Sequence, residues 1–501
     1  MGILHQAMHS WINKFPDHQV IISGVTESWD KAQLLQKIEQ FSTALLNRKN
    51  PQAPVGILTD NSPEWIAVDL ATQALNLTLI PLPGFFTPEQ WVHTIRTSGI
   101  QAIFCANEDV ARNLGFVFKK NVVGSMGLYE SASSISGISA QVQLSDVQKI
   151  TFTSGTTSAP KGVCLSTQQQ WQVAEALEVT LRPLGIKKHL NLLPLAVLLE
   201  NIAGVYTALL CGAENICLPL ASIGLKGASQ FDAQACLNAI EEHQAESVIL
   251  LPQMLQAITL GCTKNDPRLK SLKFVAVGGA KTPEALIVQA REKGIPAYEG
   301  YGLSECSSVV ALNTPAANKL NSVGKALPNR KIRIAADGEI EISGQGFTHY
   351  LGEVIAQEEW LKTGDIGHLD DEGYLFIDGR KKNILITSFG RNVSPEWPES
   401  LLLGTNIIAQ AVVMGDGQAH LSALLVPISP AISKEQLELA ISQVNSELPD
   451  YARIGAWFIA DEPLTPANGL ATPNGRPKRE AISKKYQSKL EYLYTSPLAI
   501  N

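Results

Sequence analysis

Cysteine is scarce and scattered in this sequence. The 501 residues include 7 cysteines, an odd number, and no two of them form a Cys-x-x-Cys pair. This usage argues against a disulfide framework and against a zinc site, and it favours a reducing, cytoplasmic location. The N-terminus also lacks the basic segment and apolar core of a secretion signal.

Long apolar runs and an excess of positive charge are absent as well. The most apolar stretch, residues 192–211, is interrupted by Glu200 and Asn201, which a membrane-spanning helix would rarely carry at its centre. A buried helix is the better interpretation. The formal net charge of −7 argues against a nucleic-acid partner. We expect no transmembrane segment, although a fatty substrate would leave loose membrane contact open.

The composition is that of a large globular protein. Hydrophobic residues make up 45% and charged residues 17% of a chain too long for one core, so more than one domain is expected. Strand and helix patterns alternate through the first 150 residues, which predicts an α/β domain of mostly parallel sheets flanked by helices. After residue 407 the pattern predicts a small α+β unit. Residues 331–334 and 339–343 alternate with period two and predict exposed strands.

Residues 151–162, Thr-Phe-Thr-Ser-Gly-Thr-Thr-Ser-Ala-Pro-Lys-Gly, follow the end of a predicted buried strand. Hydroxyls and backbone N–H groups in such a loop can wrap a polyphosphate, and a lysine adds a mobile charge. It is not a Walker A loop, because Pro-Lys-Gly stands where Gly-Lys-Ser/Thr is required. A flexible linker is less favoured, since linkers rarely follow a strand so closely. The candidate phosphate ligands are Thr153, Ser154, Gly155, Thr156, Thr157 and Lys161.

A second motif, residues 298–305, reads Tyr-Glu-Gly-Tyr-Gly-Leu-Ser-Glu. With the loop at 151–162 it resembles the signatures of the adenylate-forming superfamily, which includes acyl-CoA synthetases, peptide-synthetase adenylation domains and luciferases. The resemblance implies that Tyr301 stacks on adenine beside Gly302 and that Ser304 contacts the α-phosphate or the acyl carboxylate. Glu305 would bind Mg²⁺, which prefers oxygen ligands. A further strand end, Gly278, Gly279 and Ala280, would border the adenine.

The resemblance continues towards the C-terminus. Asp365, in Lys-Thr-Gly-Asp, and Arg380 would hold the ribose hydroxyls. Lys382 matches the family's hinge, which implies a large domain over 1–382 and a small, mobile lid domain over 383–501. Gly390 would approach the pantetheine tunnel when the lid rotates.

The C-terminal catalytic lysine of the family is altered. Its position is occupied by Arg476, and Lys478 lies two residues on. Arginine keeps the charge but has a bulkier, forked head. The resemblance therefore leaves open which of the two cations serves in adenylation.

Residues 191–204 contain Leu-Pro-Leu-Ala followed by Glu, which looks like the long-chain fatty acyl-CoA synthetase branch, with Val197 in place of that branch's histidine. The same residues could equally form only core. The resemblance implies ATP- and Mg²⁺-dependent activation of a carboxylic acid, best a fatty acid, to acyl-AMP and then transfer to CoA. The alternatives are delivery to an acyl carrier protein, activation of an aryl or other small acid, and a nucleotide- or acyl-binding homologue with weakened catalysis.

Overall fold

The computed structural model describes residues 11–132, 146–153, 160–226, 230–343, 349–353, 359–388, 391–418, 420–472 and 475–495. In these ranges, no helix combines the length and the apolar character needed to cross a membrane.

The strands are numbered in chain order. Those before residue 330 are β1 Ile22–Ser23, β2 Ser28–Trp29, β3 Val55–Leu58, β4 Leu79–Pro81, β5 Ala102–Cys105, β6 Phe116–Val123, β7 Met126–Ser131, β8 Lys149–Thr153, β9 Lys161–Leu165, β10 Lys188–Leu190, β11 Glu214–Ile216, β12 Leu225–Lys226, β13 Gln230–Phe231, β14 Ser247–Leu250, β15 Phe274–Val277, β16 Ala297–Leu303, β17 Ser308–Leu312 and β18 Lys325–Ala326. The later ones are β19 Lys331–Ile334, β20 Glu339–Ser343, β21 His349–Tyr350, β22 Trp360–Leu369, β23 Leu375–Arg380, β24 Leu385–Ile386, β25 Asn392–Val393, β26 Ile408–Met414, β27 Leu421–Pro427 and β28 Ile454–Ile459.

The α-helices are numbered in the same way. They are α1 Lys31–Leu46, α2 Pro63–Ala74, α3 Pro88–Ser98, α4 Glu108–Asn113, α5 Thr167–Leu181, α6 Thr207–Cys211, α7 Ala233–His243, α8 Pro252–Gly261, α9 Glu284–Glu292, α10 Glu396–Gly404, α11 Lys434–Glu447, α12 Arg479–Lys485 and α13 Gln487–Thr495. A π-helix spans Leu199–Tyr206 and continues directly into α6.

Two large sheets form the first part of the molecule. One has eight strands in the order β21-β9-β8-β4-β3-β5-β7-β6, and the other has nine in the order β18-β17-β16-β15-β14-β10-β11-β1-β2. Their central strands run parallel. The α/β prediction is therefore confirmed for the large N-terminal domain.

Helix α2 shows how local sequence sets these elements. The Ser62 hydroxyl accepts from the Trp65 N–H, and Pro63 occupies the first turn, where its missing N–H costs nothing. Nearly every side chain of α2 is buried. A helix that is buried all round belongs in the core of a large domain.

The prediction of an exposed strand at 339–343 was wrong. In β20, Ile340 and Ile342 are buried, and so are Glu339 and Glu341. The two carboxylates are covered by cations, with Lys381 Nζ 2.8 Å from Glu339 and Arg333 Nε 2.6 Å from Glu341. The alternating glutamates of β20 are therefore buried in ion pairs and do not form a solvent-exposed face.

The apolar stretch at 192–211 contains the predicted buried helix over its residues 199–211, and the first part of that helix, Leu199–Tyr206, is π-helical. Glu200 and Asn201 lie inside it and are almost completely buried. Both are hydrogen-bonded to side chains of neighbouring elements. The interruption that argued against a membrane span thus reflects polar partners within the core.

The smaller C-terminal domain contains the three-stranded sheet β26-β27-β28 with α10 and α11 packed on it. Strand β26 is antiparallel to β27, whereas β28 is parallel to it. This is the α+β architecture that the sequence predicts. The domain contacts the first part of the molecule through Asn406, whose Nδ2 donates to Gln289 Oε1 at 2.5 Å.

Candidate active site

One large cavity, of about 1710 Å³, brings most of the predicted site residues together. It lies beyond the carboxyl ends of β15 and β16, which is where ligands sit in open parallel sheets. The C-terminal domain supplies part of its wall. The predicted residues that line it are Lys161, Gly278, Gly279, Ala280, Tyr301, Gly302, Ser304, Glu305, Asp365, Arg380, Lys382, Arg476 and Lys478.

The predicted phosphate loop connects two paired strands. Thr153 ends β8 and lies opposite Lys161, the first residue of β9, in an antiparallel pair. The two ends of the loop are therefore held next to each other. Ser154, Gly155, Thr156 and Thr157 lie outside the described residues, as does Gly390.

Asp365 is the centre of a polar cluster at one end of the cavity. Its Oδ2 accepts the Tyr301 hydroxyl at 2.6 Å, and its Oδ1 is 2.7 Å from Arg380 Nε. Asp365 and Arg380 are register partners on β22 and β23, so the sheet itself fixes this pair. Burial raises the pKa of Asp365, while Arg380 and the Tyr301 hydrogen bond oppose that shift. The cluster offers a carboxylate and a guanidinium to vicinal hydroxyls.

Arg476 reaches from the C-terminal domain to the end of the cavity that contains Asp365, Arg380 and Tyr301. Its Nε donates to the Gly279 carbonyl at 3.0 Å, and its Nη2 donates to the same oxygen. Lys478 lies at the start of α12 and lines the same cavity. Its ammonium makes no hydrogen bond or ion pair with any residue that the structure describes. The arginine is therefore engaged by backbone, whereas the lysine is left available.

Tyr350 links the lysine of the phosphate loop to the predicted metal ligand. The Tyr350 hydroxyl donates to Glu305 Oε1 at 2.8 Å, and Lys161 Nζ lies 5.3 Å from the centre of the Tyr350 ring. Lys161 also pairs with Glu353 at 3.6 Å. No motif predicted a role for Tyr350. Only the pairing of the short strand β21 with β9 places it here.

Glu305 fits a magnesium ion as a single carboxylate ligand. Mg²⁺ commonly takes one or two carboxylates and completes its octahedron with water and substrate phosphates. Across the described ranges, no group of three or more His, Cys, Asp or Glu side chains could hold a metal by itself. The protein could therefore bind Mg²⁺ together with a polyphosphate, with Glu305 as its own contribution.

The glycines of the site differ in what requires them. A Cβ on Gly302 would overlap the Ser308 carbonyl, so the β16–β17 pair itself demands glycine there. A Cβ on Gly278 would meet nothing nearer than 3.6 Å and would point into the space beside Leu199. Gly278 is thus the glycine whose lack of a side chain leaves room for a ligand.

A buried lysine that belongs to no predicted motif connects two elements next to the cavity. Lys149 begins β8, the strand that leads into the phosphate loop, and its side chain is completely buried. Its ammonium donates to Asp69 at 3.0 Å, to Asn201 Oδ1 at 2.5 Å and to the Tyr206 hydroxyl at 2.8 Å. Asn201 and Tyr206 belong to the π-helix. The network therefore ties the phosphate-loop strand to the helix that walls the other end of the cavity.

That other end is an apolar arm between the nine-stranded sheet and the helices. Val197 lines it, at the position where the resembling branch has histidine. The other apolar residues of its wall include Leu177, Leu181, Ile186, Leu199, Ala203, Ala208, Ile249, Phe274 and Ala276. An arm of this composition suits a hydrocarbon chain or ring. Residues 191–204 are thus both core and cavity wall.

Comparison with known proteins identifies relatives along the whole chain. A family model described as AMP-binding enzyme matches residues 8–362, and one for the AMP-binding enzyme C-terminal domain matches residues 382–497. The long-chain-fatty-acid–CoA ligase FadD15 of Mycobacterium bovis is 33% identical over 247 residues, 43% of this chain and 41% of that protein. The chain thus aligns with only about two fifths of this relative's length.

Other relatives are covered more completely. The 2-succinylbenzoate–CoA ligase of Enterococcus faecalis is 27% identical over 473 residues, 89% of this chain and 93% of that protein. The solved structure of the O-succinylbenzoate CoA synthetase of Bacillus subtilis with ATP and magnesium superposes with a TM-score of 0.74 at 23% identity, covering 95% of this chain and 98% of that chain. The structural likeness establishes the fold.

Proposed function

Because the chain belongs to the AMP-binding enzyme family, we propose that it is an acid–thiol ligase that activates an apolar carboxylic acid, a fatty acid in particular. In the first step a carboxylate oxygen attacks the α-phosphorus of ATP, and pyrophosphate leaves with the electron pair of the broken P–O bond. In the second step the CoA thiolate attacks the acyl carbon and AMP leaves. No side-chain nucleophile is needed, so positioning and charge neutralisation carry the catalysis.

The observation that carries this proposal is the continuity of the cavity. Its polar end contains the Asp365–Arg380 pair, suited to ribose hydroxyls, and its other end is an apolar arm. A nucleotide and an apolar acid could therefore meet within one enclosure, beneath cations from both domains. Such an arrangement holds the reactants together and excludes water from a reactive anhydride.

Each charged residue of the cavity has a proposed role that follows from its position. Lys161 would bind the polyphosphate, and Glu305 would hold Mg²⁺, which would neutralise phosphate charge. Lys478 would bridge the acyl carboxylate and the α-phosphate, because its ammonium, unlike the Arg476 guanidinium, is not held by a backbone carbonyl. Lys382, a cavity residue next to the ribose-binding pair, would be the hinge about which the C-terminal domain turns between the two steps.

A fatty rather than an aryl acid is favoured by the apolar lining of the arm, which includes Leu177 and Leu181 of α5 as well as Leu199 of the π-helix. The names of the relatives do not decide between the two classes, since both a long-chain-fatty-acid ligase and a 2-succinylbenzoate ligase align with this chain. The apolar lining of the arm is therefore the feature that favours the fatty acid.

The test is ATP–pyrophosphate exchange with a panel of straight-chain and aromatic acids, followed by acyl-CoA formation. We expect exchange with straight-chain acids and thioester on addition of CoA. Failure of every acid to support exchange would refute the proposal. Exchange without acyl-CoA formation would indicate that the acyl acceptor is a carrier-protein thiol and not CoA.

Lys478→Ala and Arg476→Ala distinguish the two C-terminal cations. Loss of a charge-assisted contact in the transition state costs about 1.5–3 kcal/mol, so Lys478→Ala should slow exchange roughly tenfold to a hundredfold. Arg476→Ala should chiefly raise the KM for ATP, because Arg476 binds the backbone at the nucleotide end. Full exchange activity in Lys478→Ala would remove Lys478 from the bridging role. Lys485→Ala, which removes a lysine of α12 that pairs with Glu462 outside the cavity, is the matched control.

A further inference from the structure

The apolar arm contains one polar cluster on its sheet wall. His189 on β10 and Ser247 on β14 are register partners, so their side chains project from the same face. His189 Nδ1 lies 2.9 Å from Ser247 Oγ, and His189 Nε2 lies 2.9 Å from Glu200 Oε1. Glu200 is fully buried, and His189 and Ser247 retain only 4% and 5% of their surface. That remaining surface lines the cavity.

The hydrogen-bond capacity of this cluster is not exhausted. Glu200 accepts from the Leu193 N–H and, as a carboxylate, can only accept from His189, so Nε2 carries a hydrogen. If the imidazole is neutral, Nδ1 accepts the hydrogen of the Ser247 hydroxyl, and the lone pairs of Oγ remain free to accept a hydrogen bond. If the imidazole is charged, Nδ1–H donates to Oγ, and the hydroxyl hydrogen remains free to donate. Ser247 Oγ keeps a free hydrogen-bonding position in either state, because among the described residues it is hydrogen-bonded only to His189.

Gly204 keeps the π-helix clear of the cluster. A Cβ at this position would overlap Glu200 Oε1 and would lie 2.7 Å from His189 Nε2. The helix therefore lies close against the His189–Glu200 pair while Ser247 remains at the cavity surface. The lack of a side chain at Gly204 thus leaves room for the His189–Glu200 pair among apolar residues.

The cluster lies far from the reacting centre. Ser247 pairs with Phe274 on β15, and Gly278 follows four residues later, which is about 13 Å of extended strand. Between these levels the wall presents Ile249 and Ala276. A ligand that lies along this sheet wall would thus cross an apolar stretch before it met Ser247.

We propose that Ser247, oriented by His189 and Glu200, recognises a hydroxyl group on the acyl chain at a distance from the carboxyl group. A hydroxyl both donates and accepts, so it pairs with Ser247 Oγ in either protonation state of His189. The substrate class is therefore a hydroxylated fatty acid. An unsubstituted chain would leave the Oγ position unsatisfied in apolar surroundings, which costs binding free energy. This inference rests on the proposed acid activation.

The test compares acids of equal length with the purified full chain. One acid is unsubstituted, one carries a hydroxyl next to the carboxyl group, and others carry it progressively farther along. We expect kcat/KM in ATP–pyrophosphate exchange to be about tenfold higher for a distal hydroxy acid than for the unsubstituted acid. Ser247→Ala should reduce this ratio to near one. Thr207→Val, which removes a cavity hydroxyl already donating to the Ile202 carbonyl, should keep the wild-type ratio.

The outcomes separate this inference from the proposed function. Exchange with all acids, without any preference for a distal hydroxyl, overturns the hydroxyl subsite while acid activation stands. An equal loss for every acid in Ser247→Ala, together with a lower Tm, shows a purely structural cluster and also overturns it. If no acid supports exchange, calorimetric binding of the distal hydroxy acid and the unsubstituted acid decides, and equal Kd values overturn the subsite.

Discussion

At the scale of single residues, Gly278 and Gly302 of the cavity wall make the sharpest contrast. Gly302→Ala should lower the free energy of unfolding by about 1–3 kcal/mol, because its Cβ would overlap the Ser308 carbonyl. Gly278→Ala, with no neighbour nearer than 3.6 Å, should keep its stability and instead weaken ligand binding. Urea unfolding and the KM values for ATP and acid measure the two effects. Equal stability of the two variants would contradict the steric argument.

At the scale of elements, Lys149 joins β8 to the π-helix. Lys149→Met should lower the free energy of unfolding by about 3–5 kcal/mol, because it leaves the Asp69 carboxylate buried without its cation. Adding Asp69→Asn should restore part of that loss, since the uncompensated charge is then gone. Lys188→Met, which breaks a pair with Glu214 at 3.8 Å that is partly exposed, is the control and should cost less than about 1 kcal/mol. No rescue by Asp69→Asn would show that charge is not the cause.

Strand β16 contains a pH-sensitive carboxyl group. Burial raises the pKa of Glu299 to about 7 from its ordinary value of 4.5, and the Thr282 N–H donates to its Oε1 at 3.1 Å. Between pH 4.5 and pH 7, Glu299 is therefore protonated in the folded state and ionised in the unfolded state. The contribution of Glu299 to stability is therefore present below pH 4.5 and is lost as the pH rises through 7.

The matching experiment is urea unfolding of Glu299→Gln at about pH 5 and about pH 8. The wild-type free energy of unfolding should include a decrease between these pH values that the variant lacks, because glutamine does not titrate. Glu292→Gln, at an exposed position of α9, should behave like the wild type. An identical pH dependence in Glu299→Gln and the wild type would show that Glu299 ionises normally.

At the scale of the whole molecule, the cavity couples the two domains. Its wall includes Asp365 from the large domain and Arg476 from the small one, so a nucleotide held there would contact both. We expect saturating MgATP to raise the unfolding midpoints of both domains in calorimetry, with a stabilisation of about 2.7 kcal/mol at a hundredfold excess over Kd. Asp365→Asn should reduce the shift, whereas the exposed Asp371→Asn should not. A shift confined to one transition would contradict a shared site.

Much of this molecule could be predicted from local sequence. Alternating strand and helix patterns identified the α/β domain because each pattern reports which face of an element is buried. Short motifs with glycine and hydroxyl residues predicted nucleotide contacts, because a backbone that approaches phosphate leaves few residue types acceptable, and several of these residues line the cavity. The positions of Asp365 and Arg380 were predicted separately, but their 2.7 Å pairing depends on the register of β22 and β23.

The remaining features arise only from tertiary contacts. Glu339 and Glu341 suggested an exposed strand, yet cations from other strands and turns allow their burial. Lys149 looked like any other lysine of a strand, and Tyr350 belonged to no motif, until distant elements brought partners to them. The sequence determined that this chain builds a nucleotide-binding α/β domain with a small second domain, because local chemistry dictates motifs and patterns. Tertiary structure alone decided which charges are buried, that a backbone carbonyl holds Arg476, and where His189, Ser247 and Glu200 meet beside the apolar arm, because these contacts join residues far apart in the chain.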